Sequence, residues 1–171
     1  AAARDDTGIQ YHLAGIPVED IVPDPSDPKT ALALTGGRKP GLHRTTDAGK
    51  TWRDVTPPFG PECAAIDPAA SRTLVAAGYE GGFARSTDGG ISWKTGSIGD
   101  AAASTMMKGV LKNVRALAFS GKRLLAAGGQ GDGFAAASDD DGATWTALDW
   151  SEGWGYNWAL AVAKNALLVG G

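Results

Sequence analysis

One cysteine, two histidines and no block of basic residues leave the chain short of most side chains that carry recognisable chemistry. Cys63 stands alone, so no disulfide can close within the chain. One thiol and two imidazoles, His12 and His43, cannot supply the spacing of a Cys/His zinc site. Both histidines read as surface or strand residues. No Gly-rich phosphate loop of the Walker type occurs, and no Ser-His-Asp arrangement can be argued. The 16 Lys and Arg residues are scattered against 19 Asp and Glu, for a net charge of -3 and a pI near 5.3. An electrostatic footprint for nucleic acid is therefore not expected. No apolar run approaches the roughly 18 residues that a helical membrane span needs. The opening AAARDD has no signal-peptide pattern, so an exported form would have lost its targeting segment. Neither a cofactor nor a metal is implied.

What is present is periodic. The 171 residues are 43% hydrophobic, enough for an ordinary core. The 25 glycines are spread as punctuation between short apolar runs, as many tight turns require. An eight-residue signature, Ser/Thr-x-Asp-x-Gly-x-Ser/Thr-Trp, occurs three times: TTDAGKTW at Thr45 to Trp52, STDGGISW at Ser86 to Trp93, and SDDDGATW at Ser138 to Trp145. Its tryptophans are 41 and 52 residues apart. A strand-rich unit recurring at that interval points to a β-propeller.

Each unit contains four apolar runs bounded by Gly, Pro, Asp and Asn, which are strand signals. The first has Val18 to Val22, Thr30 to Thr35, Gly41 to Thr45 and Thr51 to Val55. The second has Cys63 to Asp67, Thr73 to Tyr79, Phe83 to Ser86 and Ser92 to Thr95. The third has Val114 to Ser120, Arg123 to Gly128, Phe134 to Ser138 and Thr144 to Leu148. Two further runs are Trp158 to Ala163 and Ala166 to Gly170. Four strands make one propeller blade. The expected fold is all-β, with four-stranded antiparallel blades and about three and a half of them present. The divisions are an N-terminal segment at 1–17, blade 1 at 18–56, blade 2 at 57–97, blade 3 with an inserted loop at 98–149, and the first half of blade 4 at 150–171. Closed propellers use 4 to 8 blades. Three ways to complete a ring follow: the remainder of a longer chain, a homodimer forming a seven-bladed ring from twice three and a half, or a closing strand at Ile9 to Leu13 that joins the last two strands.

In the signature, the hydroxyl of Thr45, Ser86 or Ser138 and the carboxylate of Asp47, Asp88 or Asp140 can accept backbone N–H groups in the turn. Gly49, Gly90 and Gly142 can take a positive φ. Trp52, Trp93 and Trp145 can bury a large surface between sheets. The competing reading makes the aspartates acids or metal ligands. One acidic turn per blade is better explained as a fold requirement, and the EF-hand pattern is absent at Asp139–Asp140–Asp141.

These stretches resemble Asp-box (BNR) repeats of sialidases, xyloglucanase-type glycoside hydrolases, sortilin-type receptors and photosystem assembly-factor-like propellers. The resemblance runs from about Val18 to Gly171. It includes the lead-ins HRTTD and ARSTD and the phrases IVPDPSDPKTALALTGG and AIDPAASRTLVAAG. It implies a propeller whose boxes sit at the blade periphery, away from the binding face, and an extracytoplasmic protein, secreted or periplasmic. It does not imply one activity, because fold does not fix function.

Candidate site residues lie on the longer links. Gly96 to Asn113 includes Ser104 to Leu111, a candidate short helix, with Met106, Met107, Val110 and Leu111 set either to pack over the blade or to meet a partner. Asp149 to Asn157 holds Trp150, Trp154 and Tyr156, which suit stacking on sugars or anchoring a protein. Glu152 and Asp149 can accept hydrogen bonds beside them, and Trp158 follows as a candidate interblade plug. Arg38 and Lys39 in the Gly36 to Gly41 turn read as solvated. A glycosidase needs two carboxyl groups about 5–9.5 Å apart, for which Asp100, Asp149 and Glu152 are the weak candidates. A sialidase needs an arginine cluster, and GIPVED at Gly15 to Asp20 lacks the expected Arg. Arg44 and Arg85 recur at equivalent positions and read as structural. The sequence therefore favours a non-catalytic binding or assembly module, with a protein or glycan partner met by Trp150, Trp154, Tyr156 and Glu152. The alternative is a fragment of a xyloglucanase-like glycoside hydrolase.

Overall fold

The computed structural model describes residues 3–4, 10–11, 13, 15–79, 81–98, 113–130, 132–148, 159–163 and 166–170. Among these, every regular element is a strand. A short antiparallel pair, β1 (Ala3–Arg4) and β2 (Gln10–Tyr11), forms a sheet of its own. Blade 1 contains β3 (Val18–Pro23), β4 (Ala31–Thr35), β5 (Gly41–Thr45) and β6 (Arg53–Asp54). Blade 2 contains β7 (Pro61–Asp67), β8 (Ala70–Gly78), β9 (Gly82–Ser86) and β10 (Lys94–Ser97). Blade 3 contains β11 (Val114–Ser120), β12 (Arg123–Gln130), β13 (Asp132–Ser138) and β14 (Thr146–Ala147). In each blade the strands lie in sequence order and pair antiparallel. β15 (Ala159–Ala163) and β16 (Ala166–Gly170) form a further two-stranded sheet.

The first strands set the radial order. β7 touches β3 and β11, and β11 in turn touches β15. Blade 2 shows why the sheets stack. Residues along a strand point alternately to opposite faces. Ala64, Ile66, Leu74 and Ala76 therefore pack toward blade 1, against Leu32, Leu34, Leu42 and Val55. Their neighbours Cys63, Ala65, Val75 and Ala77 pack toward blade 3, against Val114, Leu117, Leu124 and Phe134. A sheet covered on both faces reads as a continuous apolar run rather than an alternating one. At the blade 2–3 interface Phe83 meets Trp145 edge to face, with ring centroids 5.3 Å apart.

The strands match the apolar runs closely except at the fourth position of each blade, which begins later than the sequence pattern suggests. Thr51, Ser92 and Thr144 have both backbone N–H and hydroxyl bound to the corner aspartate. That locks them into the turn. The ladder starts only after the tryptophan, at Arg53, Lys94 and Thr146.

Candidate functional site

The three corners share one hydrogen-bond pattern. The hydroxyl of Thr45, Ser86 or Ser138 donates to Oδ1 of the aspartate two residues on, at 2.8 Å in each corner. The hydroxyl oxygen of Thr45, Ser86 or Ser138 in turn accepts the N–H of Gly49, Gly90 or Gly142 at 2.9, 2.8 and 2.9 Å. Aspartate Oδ1 also accepts the N–H of Thr51, Ser92 or Thr144, and Oδ2 accepts the hydroxyl of that residue at 2.6 Å. The glycines sit at φ of +82°, +87° and +87°, where a side chain is strained. At Gly142 an added Cβ would also run into the Phe83 ring. Both carboxylate oxygens are thus occupied within the turn. Bonds from Thr51 and Thr45 hold Asp47 down to about 2, those from Thr144 and Ser138 hold Asp140 down to about 2, and Asp88 is held lower still by Ser92 and Ser86. Such groups stay ionised at neutral pH and cannot act there as general acids.

The corners also tie neighbouring blades together. Arg44 Nη2 donates to the Ser71 carbonyl at 3.1 Å, and Arg53 Nη2 donates to the Gly89 carbonyl at 2.8 Å. The Trp93 indole donates to the Val55 carbonyl at 3.0 Å. One interface on, Arg85 pairs with Asp141 at 3.0 Å. Trp52 and Trp145 instead donate to their own corner carbonyls, Gly49 and Gly142. Arg44 and Arg85 therefore serve interblade contacts. Burial pushes the Cys63 thiol up, and its sulfur faces the Ala77 and Val114 carbonyls. A neutral, buried thiol is a poor nucleophile.

A cleft of about 570 Å³ lies between the outer part of blade 2 and the corner of blade 3. Arg85, Thr87, Lys94, Thr95, Gly96 and Asp141 are among its lining residues. The matching groove between blades 1 and 2 is filled. Val55, three residues past Trp52, is buried there and meets the Gly90 backbone. Three residues past Trp93 stands Gly96, which has no side chain to fill the space. Sequence reasoning did not single out this cleft. Aligning the three units and comparing Val55, Gly96 and Leu148 is the signal that would have found it. Among the described residues no group of His, Cys, Asp and Glu could hold a metal ion.

Asp100, Asp149, Trp150, Glu152, Trp154, Tyr156 and Trp158 lie outside the described residues, as do His12 and the Ser104 to Leu111 segment. No carboxyl separation can be read for the glycosidase candidates. Arg38 and Lys39 lie on an exposed turn, beside Gly37 at φ +88°.

Sheet order and stacking define the class as a β-propeller, with part of a ring present and corners of the Asp-box pattern. No family model and no curated protein matches the sequence. Solved propellers do share the fold. The GH74 xyloglucanase of Xanthomonas campestris superimposes with a TM-score of 0.62 at 17% identity, over 84% of this chain and 25% of the enzyme. YCF48 of Cyanidioschyzon merolae gives 0.57 at 16% identity, over 88% of this chain and 61% of that protein. YCF48 bound to a D1 peptide gives 0.57 at 15% identity, over 91% of this chain and 48% of that protein. The chain thus spans between a quarter and about three fifths of these structures. At these identities the likeness establishes the fold alone.

Proposed function

We propose that the chain belongs to a non-catalytic propeller that acts as a binding or assembly module for a protein partner. The observation that carries this reading is the state of the corner aspartates. All three repeating carboxylates are consumed as ionised turn acceptors, so the repeated acidic residues of the chain serve architecture rather than proton transfer. The peptide held by the similarly folded YCF48 supports a peptide segment as the kind of partner. Trp150, Trp154 and Tyr156, with Glu152, are the contact residues we assign from sequence, because rigid aromatics anchor protein interfaces. We place the protein outside the cytoplasm on its sequence resemblance to Asp-box repeats, a reading that fractionation of the source cells tests.

Affinity capture from a cell extract tests the main reading when paired with a Trp154→Ala chain of unchanged circular dichroism. The partner should be lost in the variant. A second reading, a portion of a glycoside hydrolase, is favoured by the likeness to GH74 enzymes. It predicts calorimetric binding of xyloglucan oligosaccharides that Trp150→Ala and Glu152→Gln abolish. Glycan binding without any protein partner would replace the first reading with the second.

A further inference from the structure

The blade 2 wall of the cleft is built in two rows. Lys94 pairs with Arg85 across β9 and β10, and Gly96 pairs with Phe83 two residues further on. Residues two apart along a strand share a face, and all four line the cleft opposite the corner of blade 3. A cationic row thus stands beside an apolar one. Blade 1 has the same two rows. Arg44 pairs with Arg53, and the Val55 N–H donates to the Leu42 carbonyl.

In blade 1 both rows are closed by the next blade. Arg44 and Arg53 donate to the blade 2 carbonyls of Ser71 and Gly89, and Val55 lies against the Gly90 backbone. Between blades 2 and 3 only half of this is reproduced. Arg85 has the Asp141 carboxylate at 3.0 Å, and the Phe83 ring lies against Gly142. Lys94, in the place of Arg53, has no acidic partner among the described residues. Gly96, in the place of Val55, brings no side chain.

The other acid on the cleft, Asp140, is spent within its corner, with its oxygens on Ser138 and Thr144. That leaves one ammonium without a counter-charge beside a slot floored by Phe83. A methyl-sized group at Gly96 would stand 3.6 Å from the Gly142 carbonyl and 3.7 Å from the Phe83 ring, in contact with both walls. Like charges directly opposite in a sheet repel, so an anion beside Lys94 also offsets its repulsion with Arg85.

We propose that this cleft is a binding site for a carboxylate that carries a branched aliphatic group. The carboxylate pairs with Lys94, and the aliphatic group lies over Gly96 and Phe83, doing there what Val55 does between blades 1 and 2. The volume of about 570 Å³ falls within the roughly 300–1,000 Å³ of small-ligand sites. A free N-acylated amino acid and the C-terminal residue of a peptide share this chemistry. The site stands apart from Trp150, Trp154, Tyr156 and Glu152, so it holds or fails independently of the partner assigned to them.

The probe is N-acetyl-leucine, titrated into the isotope-labelled 171-residue chain and followed by amide NMR. The amides of Thr95, Gly96, Gly142 and Ala143 should shift together, with a Kd in the millimolar range, as suits a ligand of about a dozen heavy atoms. N-acetyl-leucine amide, which lacks the charge, should bind about fivefold more weakly, and Lys94→Gln should cost the acid the same factor. Gly96→Val should abolish the shifts without lowering the thermal midpoint, which separates a blocked cleft from a damaged fold. A tetraglycyl-leucine peptide that binds more tightly than N-acetyl-leucine would identify a peptide C-terminus as the ligand, and one that binds no better would identify the small molecule. Equal binding of acid and amide, shifts that survive Gly96→Val, or no shift at these four amides would overturn the proposal.

Discussion

At the scale of single residues, the corner aspartates link fold and pH. Each carboxylate gains donors in the folded turn that it lacks in the unfolded chain, so its pKa falls on folding. Asp47 and Asp140 move from the ordinary 3.8 to about 2. A group depressed in the native state contributes stability above its unfolded pKa and loses it as pH falls through the folded value. The urea midpoint should therefore hold steady from pH 7 to about 5, then drop between about 4 and 2, where the unfolded carboxylates take up protons that the folded corners still exclude, with Asp88 carrying its share of the loss to lower pH still. Thr51→Val removes one hydroxyl donor to Asp47, so it should lower the midpoint at pH 7 and shrink the acid-induced drop. A midpoint unchanged between pH 5 and 2.5 would contradict this account. The sequence displayed these residues fully, because a turn needs its acceptor and its glycine at fixed offsets.

At the scale of elements, the legible and illegible parts separate by range. Strand positions were readable because each run buries locally and ends at a turn residue. The late start of each fourth strand was not, since it depends on which side chains Asp47, Asp88 and Asp140 capture. Nor could the sequence show that Trp93 donates across to blade 1 while Trp145 donates within its own corner. The candidate loop around Trp150 and Trp154 was chosen on composition alone, and composition carries no distances. The cleft is the counter-case, where repeat comparison plus geometry gives a sharp expectation. Gly96 has no positive φ to protect, and an added Cβ there would sit 3.6 Å from the Gly142 carbonyl and 3.7 Å from Phe83, ordinary contact. Gly96→Val should restore the Val55 arrangement and stabilise the chain by about 0.5–1 kcal/mol, from strand propensity and lost unfolded-state freedom. A lower thermal midpoint for this variant would mean that the space between blades 2 and 3 has a different shape.

At the scale of the whole molecule, stability is passed from blade to blade, because each sheet contacts its neighbours rather than one shared centre. Blade 2 is covered on both faces, and Leu74, Val75, Ala76 and Ala77 of β8 are all fully buried. Blade 1 is packed on one side by Leu32, Leu34 and Leu42, but its first strand leaves Val18 and Ile21 44% and 49% exposed. The blade 2–3 interface holds the larger rings, Phe83, Phe134 and Trp145. Local opening follows burial, so opening should begin at blade 1 and reach blade 2 last. Hydrogen exchange under native conditions should find the amides of β8 the slowest in the chain and those of β3 faster by at least about tenfold, the factor that corresponds to about 1.4 kcal/mol of opening free energy. Equal protection of the two strands would mean that the blades open together, and that the unit of cooperativity is larger than the single sheet.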